Sequence, residues 1–167
     1  DPRTGAQYEI GVKTSFWENK LSMNVAGFYI NDNGRAYKVN PAENTYINGG
    51  LVENKGVDVE INAYPYKGLE LMTSYTYLDT HITKSSSGDE GLAFSPVEPK
   101  HTFKFLAAYR LTGTALDGFA LGAGVNAFST SYASVLTPER NQKPYALLNA
   151  FASYRLNSHF SFYLNFN

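Results

Sequence analysis

Few residues in this chain have the type and spacing that chemistry needs. Gly122-x-Gly124-x-x-Ala127 has the spacing of a dinucleotide-binding loop, in which glycines let the backbone approach a pyrophosphate at a helix N-terminus. That use requires a helix opening after the motif, but apolar/polar alternation runs straight through it to Phe128 and Thr130. Small residues in a strand are therefore expected here. Asp79 and His81 share one strand face and could form an acid–His pair, yet no nucleophile can be assigned to them, and a hydrogen bond at a rim is expected. His101 and His159 stand singly, without ligand spacing, and the absence of cysteine removes thiolate sites and disulfides. No catalytic residue, metal site or resident cofactor is expected. What remains is a set of aromatics and cations in or beside long polar connections: Arg35, Tyr37, Tyr46, Phe94, Tyr132 and Arg140. Aromatic faces stack on flat ligand groups and Arg pairs with anionic ones, so these six are the candidate ligand-binding residues.

The elements that carry them alternate with period two. Between Asn54 and Thr80, Val57, Val59, Ile61 and Ala63 point one way, while Asp58, Glu60 and Asn62 point the other. After Pro65-Tyr66-Lys67-Gly68, a tight turn, Leu69, Leu71, Thr73, Tyr75 and Tyr77 oppose Glu70, Ser74, Thr76 and Thr80. The same pattern occupies 7–16, 21–31, 100–111, 119–127, 143–156 and 159–167, which makes eight strands in four antiparallel hairpins. Short turns are predicted near 17–20, 65–68, 112–118 and 157–158, and long polar connections at 32–44, 83–99 and 131–142. Aromatics gather beside the short turns: Phe16, Trp17, Tyr64, Tyr66, Tyr109, Tyr154 and Phe160. Runs of about 9–11 residues suit a tilted strand crossing a bilayer. Alternating loop lengths and aromatic girdles are the mark of a transmembrane β-barrel, giving an all-β antiparallel fold.

Bulk composition fits a barrel wall. Aromatics reach 15% of residues, yet the mean hydropathy is polar and no apolar run approaches the length of a membrane helix. A wall whose every second residue faces a polar lumen reconciles the two. A net charge of −1 argues against nucleic acid as a partner. Charged inward positions (Glu9, Lys13, Asp58, Glu60, Glu70, Lys104, Arg110, Arg155) form no run and are expected to pair across a solvated lumen, or to meet a plug. Small inward residues, among them Gly11, Ser74, Ala108, Gly122, Gly124 and Ser153, suit a wide barrel better than a packed small one. The chain opens on Asp1-Pro2-Arg3, so any export signal is expected to have been removed or to lie upstream.

The segment Asn54–Thr80, from Lys55-Gly56-Val57-Asp58-Val59-Glu60 to Ser74-Tyr75-Thr76-Tyr77-Leu78-Asp79, resembles the C-terminal barrel of TonB-dependent ferric-siderophore receptors. Phe94-Ser95-Pro96-Val97-Glu98-Pro99-Lys100-His101, Tyr8–Lys13 and Gly122–Asn126 are similar to the same family. The resemblance implies a 22-stranded barrel in the bacterial outer membrane, filled by a plug, that imports iron chelates with energy from the inner membrane. Residues 1–167 would then be about eight strands of that barrel domain, without the plug and the closing strand. Implied partners are a ferric siderophore, outer-membrane lipid, and the plug and TonB system acting through regions outside this segment. Two other readings stand beside it: a complete eight-stranded barrel with a structural or adhesive role, and a soluble β-rich binding module.

Overall fold

The computed structural model describes residues 3–38, 46–85, 88, 90–113, 116–133 and 140–167. Ten strands occur among them: β1 (Thr4–Phe16), β2 (Leu21–Lys38), β3 (Tyr46–Ala63), β4 (Leu69–Lys84), β5 (His101–Arg110), β6 (Phe119–Phe128), β7 (Ser131–Tyr132), β8 (Asn141–Gln142), β9 (Tyr145–Arg155) and β10 (Ser161–Phe166). Eight of them form one antiparallel sheet in the order β1-β2-β3-β4-β5-β6-β9-β10, and β7 and β8 make a small ribbon at the base of one long connection. β1 and β10 are the two edges; the sheet is open.

Register divides the sheet into two unlike faces. Directly paired residues share a face. One rung runs Val12, Val25, Val59, Tyr75, Phe103, Ala127, Ala146, and the rung below it Thr14, Met23, Ile61, Thr73, Phe105, Val125, Leu148. The alternate rungs carry Lys13, Asn24, Glu60, Ser74, Lys104, Asn126 and Leu147. The single layer has almost no core: among the described residues only Val52 and Ala120 are buried apolar side chains. Ile10 remains 82% exposed and Leu148 74%. A contiguous apolar face of this kind is stable only against lipid or a partner.

The short turns are built to stop strands cleanly. Trp17, Glu18 and Asn19 all take left-handed φ values (50°, 55° and 68°), closed by the Lys20 amide donating to the Trp17 carbonyl at 3.0 Å. Gly68 (φ 88°) and Gly118 (φ 89°) end the next two turns. Each carbonyl accepts an amide from the end of the strand beyond the one the turn begins, from Arg110 of β5 at 2.8 Å and Arg155 of β9 at 3.0 Å. A Cβ would meet the same partners' carbonyl oxygens at 2.2 and 2.7 Å, so only glycine allows the turn to abut the neighbouring strand.

The other end differs from expectation. The polar connection predicted over 32–44 is in part strand: β2 continues to Lys38, with irregular register between Asn33 and Ala36. β3 begins at Tyr46, and the rest of that connection lies outside the described residues. Of the connection predicted at 83–99, residues 83 and 84 continue β4, and residues 91–95 fold back over it. The Ile82 amide donates to the Leu92 carbonyl at 3.0 Å, Gly91 to Ile82 at 2.8 Å and Phe94 to Thr80 at 3.2 Å. Residues 91–95 thus pair with the part of β4 that rises beyond the start of β5 at His101.

Candidate functional site

The six candidate ligand residues fall into two groups at the long-connection end. Arg35 and Tyr37 stand on β2, opposite Gly50 and Ile47, and Tyr46 stands on β3 opposite Lys38. Phe94, Tyr132 and Arg140 belong to the other group. Phe94 is half-buried in the segment paired with β4, and the Tyr132 amide donates to the Pro96 carbonyl at 2.7 Å, which ties the two connections together. The Arg140 carbonyl accepts the Ala133 amide at 2.9 Å, so Arg140 follows the same ribbon, with its side chain exposed. Between these connections lies a cavity of about 420 Å³, lined by Leu78, Thr80, Ala93, Pro96 and Tyr132 among others. The first group stands on β2 and β3, and the second lies beyond the top of β4.

An ion cluster fixes the second group in place, and sequence reading found only part of it. Asp79 accepts from Lys100 Nζ at 2.6 Å and lies 3.2 Å from His81 Nδ1. The Asp79–His81 pair is thus a rim contact, as its lack of a nucleophile suggested. Burial alone would raise the Asp79 carboxyl, but the Lys100 hydrogen bond and the charges of His81, Lys100 and Lys55 together hold it below its ordinary range. The hydrogen bond to Asp79 holds the Lys100 ammonium above its ordinary value. Ser95 completes the anchorage, its amide donating to Thr80 Oγ1 at 3.2 Å. Lys100 carried no local signal, because its partner lies in a preceding strand across an irregular connection. At the first hairpin Arg3 pairs with Asp32 across β1 and β2, a contact equally silent in the sequence.

The inward face carries two grooves. One of about 830 Å³ lies near the short turns, with Tyr64, Glu70, Arg110, Phe151 and Ser153 on its walls. Tyr64 donates its hydroxyl to Glu70 at 3.1 Å, which raises the Tyr64 pKa. The other, of about 450 Å³, is lined by Glu60, Asn62, Lys104, Asn126 and Asn149. The nucleotide-like motif sits wholly within β6 on this wall. A Cβ on Gly122 would meet the Phe151 ring at 2.1 Å, and one on Gly124 the Asn149 Oδ1 at 2.7 Å. Gly56 plays the same part for Phe28, at 2.5 Å. Each of Phe28 and Phe151 lies over the glycine paired with it, so these glycines make space for a cross-strand aromatic. Among the described residues no three His, Cys, Asp or Glu side chains gather as a metal site.

Residues 1–167 match the model of the family described as TonB dependent receptor-like, beta-barrel. The chain belongs to that family. The ferric-pyoverdine 358 receptor of Pseudomonas putida is 33% identical over 181 residues, covering 100% of this chain and 20% of that protein. The ferrioxamine B receptor of Salmonella typhimurium is 27% identical, over 95% of this chain and 22% of the receptor. Among solved structures, P. aeruginosa FpvA bound to heterologous pyoverdines superposes with a TM-score of 0.75 at 27% identity, over 99% of this chain and 23% of that one. The chain therefore spans about a fifth of the length of the relatives it matches. Membership places it in the outer membrane as part of a receptor's β-barrel.

Proposed function

We propose that this chain is a segment of barrel wall in a TonB-dependent receptor that imports a ferric siderophore. The observation that supports it best is the two-faced sheet, matched along its whole length by ferric-siderophore receptors. The work is transport, with the iron chelate as cargo. Outer-membrane lipid covers the apolar face, a plug fills the polar side, and the plug and the energy-transducing TonB contact come from regions outside these residues. Two free sheet edges favour a wall segment over a closed eight-stranded barrel.

The chelate is captured at the long-connection end. The contacts would come from Arg35, Tyr37 and Tyr46 on β2 and β3, and from Phe94, Tyr132 and Arg140 in the connections beyond β4. Flat aromatic faces and guanidinium charge suit a partly apolar, anionic ligand. Each contact is worth about 0.5–2 kcal/mol. In the receptor that carries this segment, Tyr37→Ala and Tyr132→Ala should each weaken ferric-siderophore affinity modestly, and the double variant should weaken it more. Labelled-iron uptake should follow, with the amount of inserted barrel unchanged. Parent-level affinity and uptake in all three variants, across hydroxamate, catecholate and pyoverdine-type chelates, would remove these loops from the binding site.

A further inference from the structure

The outward apolar face has one place where a side chain is missing for no internal reason. On the rung Ile10, Gly27, Val57, Tyr77, the glycine opens a groove of about 490 Å³ bounded by Tyr8, Ile10, Tyr29, Val57 and Tyr77. Gly56 and Gly122 are required by neighbouring rings, but a Cβ at Gly27 would meet nothing nearer than the Gly56 carbonyl oxygen at 3.9 Å. Its φ is not left-handed, so backbone conformation does not demand glycine either. β1 and β3 flank β2, a separation of about 9–10 Å, enough for one acyl chain to lie over the gap.

A cation closes the outer end of this groove. Lys55 lines it and is exposed; below the bulge at Asn33 it is the one Lys or Arg among the described ladder residues whose register puts it on the outward face. Lys55 is one rung further from the short turns, paired with Tyr29 and Asp79. Glu9, which also lines the groove, belongs by register to the inward face, and the two acids beside Lys55 on the outward face have other partners. Asp79 holds Lys100 and His81, and Glu53 accepts from the Tyr29 hydroxyl. Lys55 itself makes no ion pair among the described residues and acts on Asp79 only through space. A lysine on a lipid-facing wall is tolerated at the interface, where its stem lies on apolar surface and its head meets anions.

We infer that the face of β1–β4 over Gly27 binds a phosphorylated lipid of the outer leaflet, one acyl chain in the groove and a phosphate on Lys55. This rests on the reading that the outward face meets lipid. The receptor carrying this segment, purified in mild detergent, would be titrated by native mass spectrometry with bisphosphorylated lipid A, dephosphorylated lipid A and phosphatidylethanolamine. Lys55→Gln should weaken bisphosphorylated lipid A about fivefold and leave dephosphorylated lipid A, which has no phosphate, unchanged; phosphatidylethanolamine, whose single phosphodiester is balanced by its own ammonium, should change far less than bisphosphorylated lipid A. Gly27→Val, whose Cβ meets nothing nearer than 3.9 Å, should weaken both lipid A forms about threefold or more by filling the groove. Heat-modifiable mobility on gels reports that both variants keep the barrel. A parent that binds all three lipids alike, or variants that bind as the parent does, would overturn the site and leave the lipid-facing wall standing. A parent that binds none of them would overturn the wall assignment as well.

Discussion

The two faces of this sheet are made by the same strands and obey different rules. The outward face repeats Val, Ile, Leu, Phe and Ala from rung to rung, and its neighbours barely interlock; Leu148 and Ile10 are mostly exposed. The inward face mixes Glu60, Lys104, Asn126 and Asn149 with Phe28 and Phe151, each ring fitted over a particular glycine. The outward face is thus selected for the solvent it meets, and the inward face for specific pair contacts. Changing polarity should be punished on the first, and changing shape on the second.

The sharpest way to break this contrast uses two consecutive residues of β6. Val125 lies on the outward rung with Phe105 and Leu148, and Asn126 on the inward rung with Lys104 and Leu147. Val125→Arg should cost about 2–4 kcal/mol of barrel stability, measured by reversible denaturation in bilayers. Asn126→Arg should cost less than about 1 kcal/mol, as a polar exchange on a wet surface does. Equal costs would abolish the distinction between the faces.

A second test probes shape alone. Gly122→Ala adds one methyl where the Phe151 ring already stands, and should cost about 1–3 kcal/mol. Phe151→Leu in the same chain should recover part of that loss, a coupling that independent sites do not show. The outward counterpart, Ala123→Val, sits between Ala107 and Ala150 with room beside it and should be close to neutral.

The smallest effect belongs beyond the band, where neither rule holds and charge takes over. Asp79→Asn should loosen residues 91–95 from β4 by about 0.5–1 kcal/mol, since Lys100 is half exposed and screened. Hydrogen exchange at the Ile82 and Phe94 amides would report it. The Asp79 pKa is depressed, so its contribution is complete above the ordinary carboxylate range and fades as pH falls through the lowered value. Exchange at these amides should therefore quicken in acid relative to that of the β5–β6 ladder. An acid response equal in the Asn variant would assign the effect to another group.

How much of this could be read from sequence follows the same division. Strands inside the bilayer must alternate, and alternation put Val57, Tyr75, Phe105 and Leu148 on one face before any coordinates. The glycine motif in β6 was assignable because period two ran through it. Asp32-Asn33-Gly34-Arg35 looked like a loop because a strand in water need not keep an apolar face, so β2 outlasted its own signal. The fold-back of 91–95 rests on backbone amides, which every residue possesses, and Lys100 finds Asp79 only after that backbone has turned. The candidate ligand residues were legible as types near long connections, whereas their division between β2–β3 and the connections beyond β4 needed the register.

The order β1-β2-β3-β4-β5-β6-β9-β10 has a consequence for how such a wall is made. Every strand of the large sheet pairs with the one before it, across a connection that is short at one end and modest at the other. Closing such connections costs little entropy, so contact order stays low for a sheet of this size. The wall can grow hairpin by hairpin, each finished strand offering its edge as the template for the next. Growth of that kind never requires a completed pair to separate, and the apolar face enlarges in step with the bilayer that must receive it.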